Sequence, residues 1–322
     1  MSRSLLPLTL LAAVLVSPGC RRSGQRIIGV VPKGASHIFW QTVHAGAIKA
    51  AGEFGCTVDW NAPPLEIDAS RQIEIVDSMI NRHVAGIALA PVDKQGLVAV
   101  VERAAREGIP VAIFDSAIDT QNFISYVATD NTEAGRMAAR RMGEILGGQG
   151  KVGIVGFMPG SASTMEREHG FQDEIGKRYP AIQIVGLQFG MADRAKAMAV
   201  TENMLAAHSD LAGVFADNES SSAGAVQALK SRGAKQVKLV AFDASDQLIG
   251  DLRDGAIDSI VVQNPFRMGY ESARAIGLKL SGQTPERKLD SGAALIRRED
   301  LEREETRQLL FPDIQKYLKQ AN

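Results

Sequence analysis

Thiol chemistry has little place in this sequence of 322 residues, which contains only two cysteines, Cys20 and Cys56. Two thiols are too few to build a metal site from cysteine alone. The five histidines form no HExxH motif, so they indicate no metal site either. Cys56 opens the apolar stretch CTVDW and is expected to be a buried structural thiol, because free cysteine is among the most buried residue types.

An excess of charge of one sign is also missing. Lysine and arginine number 36, aspartate and glutamate 37, and the net charge is −1. No basic block or stripe interrupts this balance. The sequence therefore gives no support to nucleic acid as a partner, since such binding depends on neutralising phosphates.

The common catalytic motifs are absent from the sequence as well. No GxGxxG follows the first apolar run, and no GxSxG occurs anywhere. The stretch GGQGKV has Val152 where a phosphate loop needs serine or threonine for Mg²⁺. We therefore predict that the protein is not an enzyme and that it uses no cofactor and no metal.

The apolar run at the start of the chain, residues 5–16 (LLPLTLLAAVLV), is too short to span a bilayer and has the length of a signal-peptide core. It leads to SPGC, which resembles a bacterial lipoprotein signal. That resemblance implies a signal peptide over 1–19, a lipid on Cys20, a tether over 20–25, and export to the periplasm or cell envelope with a membrane anchor. Ser17 departs from the usual leucine of this motif, and an ordinary cleavable signal peptide is the alternative.

The rest of the chain alternates short apolar runs with helical periodicity. RIIGVVP, CTVDW, VAGIALAP and IPVAIFD read as buried strands, and helices of about 12 residues separate them. A similar series follows residue 124, so the chain has the length and pattern of two α/β domains with parallel sheets. Asp115 follows Gly86 by 29 residues and Asp243 follows Gly213 by 30, within similar surroundings. The two halves therefore look like copies of one unit.

Polar side chains follow several of these strands. They are Asp115, Asp130, Asn131, Asn218, Asp243 and Gln263. Phe39 and Trp40 follow the first strand, in a chain that is only 5% aromatic, and either close a core or form the wall of a site. Ligands of open parallel sheets bind outside the carboxyl ends of the strands. Carboxylates and amides pair with hydroxyls and rings stack on C–H faces, so the set suits a neutral polyhydroxylated ligand.

The ordered motifs over residues 26–296 resemble the type I periplasmic binding proteins, specifically the ribose-binding group of sugar receptors for ABC transporters. These motifs are SHIFWQTVHAGA, GIALAPVD, IPVAIFDSAI, YVATDN, SASTMEREHGF, GVFADNESSSAGAVQAL, LVAFDAS and VVQNPFRMG. The resemblance implies two doubly wound parallel-sheet lobes joined by three hinge crossovers. The N-terminal lobe would comprise 26–130 plus 265–291, and the C-terminal lobe 131–264 plus 292–322.

The resemblance also implies a ligand site, residue by residue. With Asn131 from the strand-end set, the candidates are His37, Phe39, Trp40, Asp115, Ser116, Asn131, Arg167, Asn218, Asp243 and Gln263. Ser116 stands where the ribose receptor has arginine, and Ala192 stands near the position of its third aromatic residue. The ligand therefore need not be ribose.

The function implied by the resemblance is that of a substrate-binding lipoprotein of a sugar ABC transporter. Such a monomer captures a monosaccharide between its lobes by hinge closure and delivers it to a membrane permease. The alternative left open by the sequence is a sensor of a sugar or furanosyl signal that feeds a chemoreceptor or histidine kinase.

Overall fold

The computed structural model describes residues 26–35 and 37–319. The predicted signal peptide, the lipidation of Cys20 and the tether lie outside the described residues. In the part of the chain that the structure describes, no helix has both the length and the apolar character needed to cross a membrane.

Six parallel strands form the first sheet, in the order β11-β5-β4-β3-β1-β2. These strands are β1 (Arg26–Val31), β2 (Cys56–Trp60), β3 (Gly86–Leu89), β4 (Val111–Phe114), β5 (Ser125–Ala128) and β11 (Lys288–Asp290). β3, β4 and the part of β1 after Arg26 are continuous apolar runs, as is usual for strands covered on both faces.

A second six-stranded sheet repeats this arrangement in the order β12-β10-β9-β8-β6-β7. Its strands are β6 (Gln149–Gly156), β7 (Ala181–Phe189), β8 (Leu211–Ala216), β9 (Lys238–Phe242), β10 (Ser259–Gln263) and β12 (Ala293–Arg297). All pairs are parallel except β10 with β12 at the edge, which is antiparallel. We call the halves built on the two sheets the first and second lobes.

Helices cover both faces of each sheet. They are α1 (Ile38–Glu53), α2 (Ala69–Asn81), α3 (Val98–Arg106), α4 (Asn131–Ile145), α5 (Ala162–Arg178), α6 (Arg194–Ala207), α7 (Glu219–Ser231), α8 (Asp246–Arg253), α9 (Pro265–Leu280), α10 (Glu304–Leu310) and α11 (Gln315–Leu318). Successive strand residues therefore point into different cores: Val30 packs under α1 and α9, and Val31 packs under α2 and α3. The predicted fold class, two doubly wound parallel-sheet lobes, is confirmed.

The chain passes between the two sheets three times, after β5, after β10 and after β11. The exact lobe boundaries given above stay a prediction, with one difference at the C-terminus. The segment 292–322 was assigned to the C-terminal lobe, but α11 packs on α1, and Tyr317 contacts Phe266 at the start of α9. The segment ends in two short helices, α10 and α11, with Pro312 between them.

Two pairs of helices cross closely at glycines. A Cβ atom on Gly46 of α1 would collide with the backbone of Phe266, and one on Gly269 of α9 would collide with that of Val43. In the second lobe α4 and α5 cross in the same way through Gly135 and Gly170. Only glycine permits these approaches, and the second crossing holds α5, which carries Arg167, against α4.

Candidate functional site

A narrow cavity of about 40 Å³ lies between the carboxyl ends of the strands of the two lobes. Its walls are formed by Lys33, His37, Phe39, Trp40, Glu66, Asp115, Phe157, Ser163, Thr164, Arg167, Asn218, Glu219, Asp243 and Gln263. Eight of the ten residues predicted for the ligand site are among them, and Ser116 and Asn131 are not.

Asp115 and Asp243 enter the cavity from equivalent points of the two lobes. Each follows directly after a buried strand, β4 or β9, and adopts a left-handed backbone, with φ of 61° and 64°. Each backbone N–H donates to a carbonyl of the neighbouring strand, Val127 at 3.0 Å or Val261 at 2.9 Å. Aspartate is one of the few residues other than glycine that adopt this conformation readily. Both strand ends therefore turn in the same way.

Arg167 is the largest cation of the cavity and is only 2% exposed. Its Nε donates to Asn131 Oδ1 at 2.8 Å, and its Nη1 donates to the backbone oxygen of Asp217 at 2.9 Å. The guanidinium lies 4.0 Å from the centre of the Phe242 ring. Asn131 is thus placed behind Arg167 and orients it, instead of lining the cavity itself.

The amides of the second lobe are also held in place. Gln263 Nε2 donates to Asp243 Oδ1 at 2.7 Å, while the buried Gln263 Oε1 has no protein partner in the described residues. Asn218 Oδ1 accepts from the backbone N–H of Ser221 at 3.1 Å and caps α7. Asn218 therefore combines the two roles that its position predicted, a helix cap and a cavity wall. Burial, with the charges of Asp115 and Glu219, raises the pKa of Asp243 despite Arg167 and Gln263.

Phe39 and Trp40 form the aromatic wall. Their rings meet edge to face at 4.8 Å, and Trp40 continues into the core against Phe114 at 6.5 Å. Trp40 is only 4% exposed, and its Nε1 donates to Glu66 Oε1 at 2.8 Å. Trp40 therefore packs in the core and also lines the cavity, which are the two roles that the sequence left open.

Lys33 is a buried cation of the cavity that the sequence analysis did not predict. Its Nζ lies 2.8 Å from Asp115 Oδ2 and 3.2 Å from the hydroxyls of Ser161 and Ser163, which belong to the second lobe. Ser116 is fully buried and bonds Ser163 through its hydroxyl at 3.1 Å. Ser116 therefore joins the lobes behind the cavity. Lys33 follows β1 by two residues, and its place at the strand end was a usable signal.

His37 connects carboxylates of both lobes. Its Nε2 lies 3.3 Å from Glu66 Oε1 and its Nδ1 lies 2.9 Å from Glu219 Oε2. Burial opposes the charged imidazolium, but the hydrogen bond to Glu219 and the charges of Glu66 and Glu219 prevail and raise the pKa of His37. The same contacts, with Arg194, lower the pKa of Glu219 against the effect of burial.

A second pair of carboxyls, Glu168 and Asp217, lies behind Arg167, and both residues are buried. Burial and the neighbouring Asp217 raise the pKa of Glu168 to about 9. Burial also raises the pKa of Asp217, although the hydrogen bond from Glu168 and the charge of Arg167 oppose this. The pair holds a proton near neutrality, since two adjacent carboxylates are not both ionised in a buried setting.

The charges in and against the cavity balance. Three permanent cations and His37 face four carboxylates: Lys33, Arg167, Arg194, His37, Glu66, Asp115, Glu219 and Asp243. Six of these eight groups form ion pairs with each other, whereas Arg167 bonds neutral oxygens and Asp243 accepts from Gln263. The arrangement suits an uncharged molecule with many hydroxyls, which bonds to fixed acceptors and donors and stacks on the aromatic wall.

Comparison with known proteins agrees with this description. Residues 28–284 match the family model of the periplasmic binding protein domain. The chain is 33% identical over 276 residues to the D-ribose/D-allose-binding protein of Pseudomonas aeruginosa, covering 82% of this chain and 85% of that protein. A carbohydrate-transporter solute-binding protein from Agrobacterium radiobacter, in complex with D-arabinose, superposes with a TM-score of 0.87 at 29% identity over 89% of this chain and 99% of its own. One from Agrobacterium vitis with bound D-fucose gives 0.86 at 31% identity, covering 88% and 100%.

Proposed function

The chain belongs to the periplasmic binding protein domain family, and on that premise we propose that it is the substrate-binding protein of an ABC transporter for a monosaccharide. The sugar is bound in the cavity between the lobes, without chemical change, and is delivered to a membrane permease. Closure works as a shift of population, because only the closed arrangement brings the groups of both lobes to the ligand.

The observation that carries this proposal is the composition of the cavity. It combines an aromatic wall, Phe39 and Trp40, with fixed hydrogen-bonding groups from both lobes, Asp115, Asp243 and Arg167. The free acceptor Gln263 Oε1 is buried at the same place and needs a donor such as a sugar hydroxyl. The named ligands of the relatives, ribose, allose, arabinose and fucose, are neutral monosaccharides, which supports the same class here.

Thermal stability with a panel of pentoses, hexoses and deoxy sugars tests the ligand class. A sugar at 100 times its Kd adds about 2.7 kcal/mol to the free energy of unfolding. We expect this to raise Tm by about 5 to 10 °C for a protein of this size. The absence of a shift with every neutral sugar would contradict the proposal.

The same assay identifies the site through the two tryptophans of the chain. Trp40→Ala removes a buried aromatic anchor and is expected to weaken binding by about 2 kcal/mol, or about 30-fold in Kd. Trp60 stacks on His44 at 4.3 Å and does not line the cavity, so Trp60→Ala is the matched control and should leave Kd within about twofold. Equal effects of the two changes would place the ligand elsewhere.

We also propose that the protein is held at a membrane by a lipid on Cys20. The support is the sequence alone: an apolar segment over 5–16, small residues at 17–19, and then cysteine. Cys20→Ser should move the protein from the membrane fraction to the soluble fraction, while Cys56→Ser, which changes the buried thiol, should leave it at the membrane. Retention of the Cys20→Ser protein would exclude lipidation as the anchor, and a soluble wild type would favour the ordinary cleaved signal.

A further inference from the structure

A line of polar contacts runs from the aromatic wall of the first lobe into the second lobe. It begins at Trp40 Nε1, which donates to Glu66 Oε1, and the same oxygen lies against His37 Nε2. On its other side His37 Nδ1 meets Glu219, the first residue of α7, and Arg194 of α6 holds the other oxygen of Glu219. One imidazole ring thus connects the ligand wall of one lobe to two helices of the other.

The geometry separates His37 from the residues that contact ligand directly. Each of its ring nitrogens lies against a carboxylate oxygen, Glu66 Oε1 at 3.3 Å and Glu219 Oε2 at 2.9 Å, so a sugar hydroxyl would compete with these contacts. Its contact with Glu66 stays within the first lobe, whereas its contact with Glu219 exists only when the lobes approach. Glu66 Oε1 in turn fixes the indole of Trp40 from the edge.

Resting on the proposed function, we propose that His37 is a positioning residue that couples closure of the lobes to the setting of the aromatic wall, and that protonation of its ring strengthens closure. The ring donates to both carboxylates at once only as the imidazolium, because a neutral imidazole has a single N–H. The neutral ring loses one of the two contacts, and the link between the lobes weakens with it.

The direction of the pH effect follows from the groups that face His37. These are Glu66 from the loop before α2, Glu219 from α7 and Arg194 from α6. Opening removes Glu219, which raises the pKa of His37, together with Arg194 and part of the burial, which lower it, and leaves Glu66. We take the loss of the Glu219 contact to be the largest of these changes, so the pKa of His37 is higher in the closed state than in the open one. Closure is therefore favoured below the open-state pKa and loses this support as pH rises through the closed-state pKa. At the acid end, protonation of Glu219 removes the same contact.

The experiment compares wild type, His37→Gln and the control His169→Gln, which changes an exposed histidine on α5. Small-angle X-ray scattering of the ligand-free proteins gives the radius of gyration at about pH 6 and about pH 8, on either side of imidazole titration. We expect wild type and His169→Gln to be more compact at the lower pH. His37→Gln should be equally open at both, since glutamine does not titrate.

A second arm measures Kd at both pH values for any sugar that raises Tm. Binding to wild type should weaken by about fivefold or more from about pH 6 to about pH 8, within the usual range of coupling between two states, while the Kd of His37→Gln stays constant. The proposal is overturned if His37→Gln keeps the pH response, or if wild type lacks it in both arms. A protein that binds no sugar still gives the scattering result, so failure of the proposed function is distinguishable from failure of this one.

Discussion

Asp115 and Asp243 have the same left-handed backbone conformation at equivalent strand ends of the two lobes. Their left-handed backbone costs about 1 to 3 kcal/mol for an ordinary side chain and less for aspartate, which tolerates it. The bend ends each strand and directs a carboxylate into the cavity, where Lys33 or Gln263 holds it. Strain of this kind is typical of functional positions and here occurs at both strand ends that the duplicated sequence pattern marked.

The expectation that ligands bind at the carboxyl ends of the strands found six of the fourteen cavity residues, but it gave the place of a side chain without its direction. Ser116 and Asn131 are at strand ends and still lie behind the wall, because Ser163 and Arg167 are their partners. Glu66 could not be predicted as a cavity residue, because it lies in the loop between β2 and α2, whose sequence has no periodicity. Its role depends on Trp40 and His37, which are distant from it in the chain.

Among the strands, those that are buried on both faces could be predicted from the sequence, and β11 and β12 at the sheet edges could not. Strands such as β3 and β4 are fully buried apolar runs, and their positions were read directly. The strands β11 and β12 were not, because β11 (KLD) has three residues and no apolar run, and the short apolar run of β12 (AALI) is only partly buried. Each lies at the edge of a sheet and is recognised as a strand by its pairing, β11 with β5 and β12 with β10.

The crossing of α4 and α5 leads to a prediction about an element that touches no ligand. Gly135→Ala places a methyl group against the backbone oxygen of Arg167 and must push α5 away from α4. Overpacking of this kind costs about 1 to 3 kcal/mol of stability. Because α5 carries Arg167, we expect a lower Tm together with weaker sugar binding, measured by thermal unfolding and calorimetric titration.

The matched control for this crossing is Gly176→Ala on α5, away from the contact with α4. Gly176 is exposed, and a Cβ atom there meets no neighbour. Alanine favours helix over glycine by about 1 kcal/mol, so Gly176→Ala should raise Tm slightly and leave Kd unchanged. A Gly135→Ala protein as stable as wild type, or one with unchanged affinity, would show that the crossing does not position Arg167.

At the scale of the whole molecule, the closed arrangement is joined by protein groups on several sides of the cavity. Lys33 bonds Ser161 and Ser163, the backbone N–H of Lys94 donates to Gly160 O at 3.1 Å, and His37 meets Glu219. These contacts join the lobes through protein groups alone. If the lobes close on the sugar as proposed, we expect its affinity to depend also on residues that never touch it.

The stability of the whole molecule should also depend on the carboxyl pair behind Arg167. The folded protein raises the pKa of Glu168 to about 9 by burial and by the nearby Asp217, so the folded state holds a proton that the unfolded chain releases. The stabilisation that comes from protonated Glu168 is fully present below the pKa of glutamate in the unfolded chain. It is lost as the pH rises to the pKa of Glu168 in the folded protein. Wild type should therefore lose Tm steadily between about pH 5 and about pH 9.

Glu168→Gln tests this dependence, because the amide can donate to Asp217 as the protonated acid does but cannot ionise. We expect it to match wild type at about pH 4, below the unfolded pKa, and to exceed it by about 1 kcal/mol or more at about pH 9, which is about 2 °C or more in Tm. Glu302→Gln, whose side chain is 79% exposed, is the control and should follow wild type throughout. Parallel Tm curves for wild type and Glu168→Gln would mean that the pair is ionised at no cost, with Arg167 compensating both carboxylates.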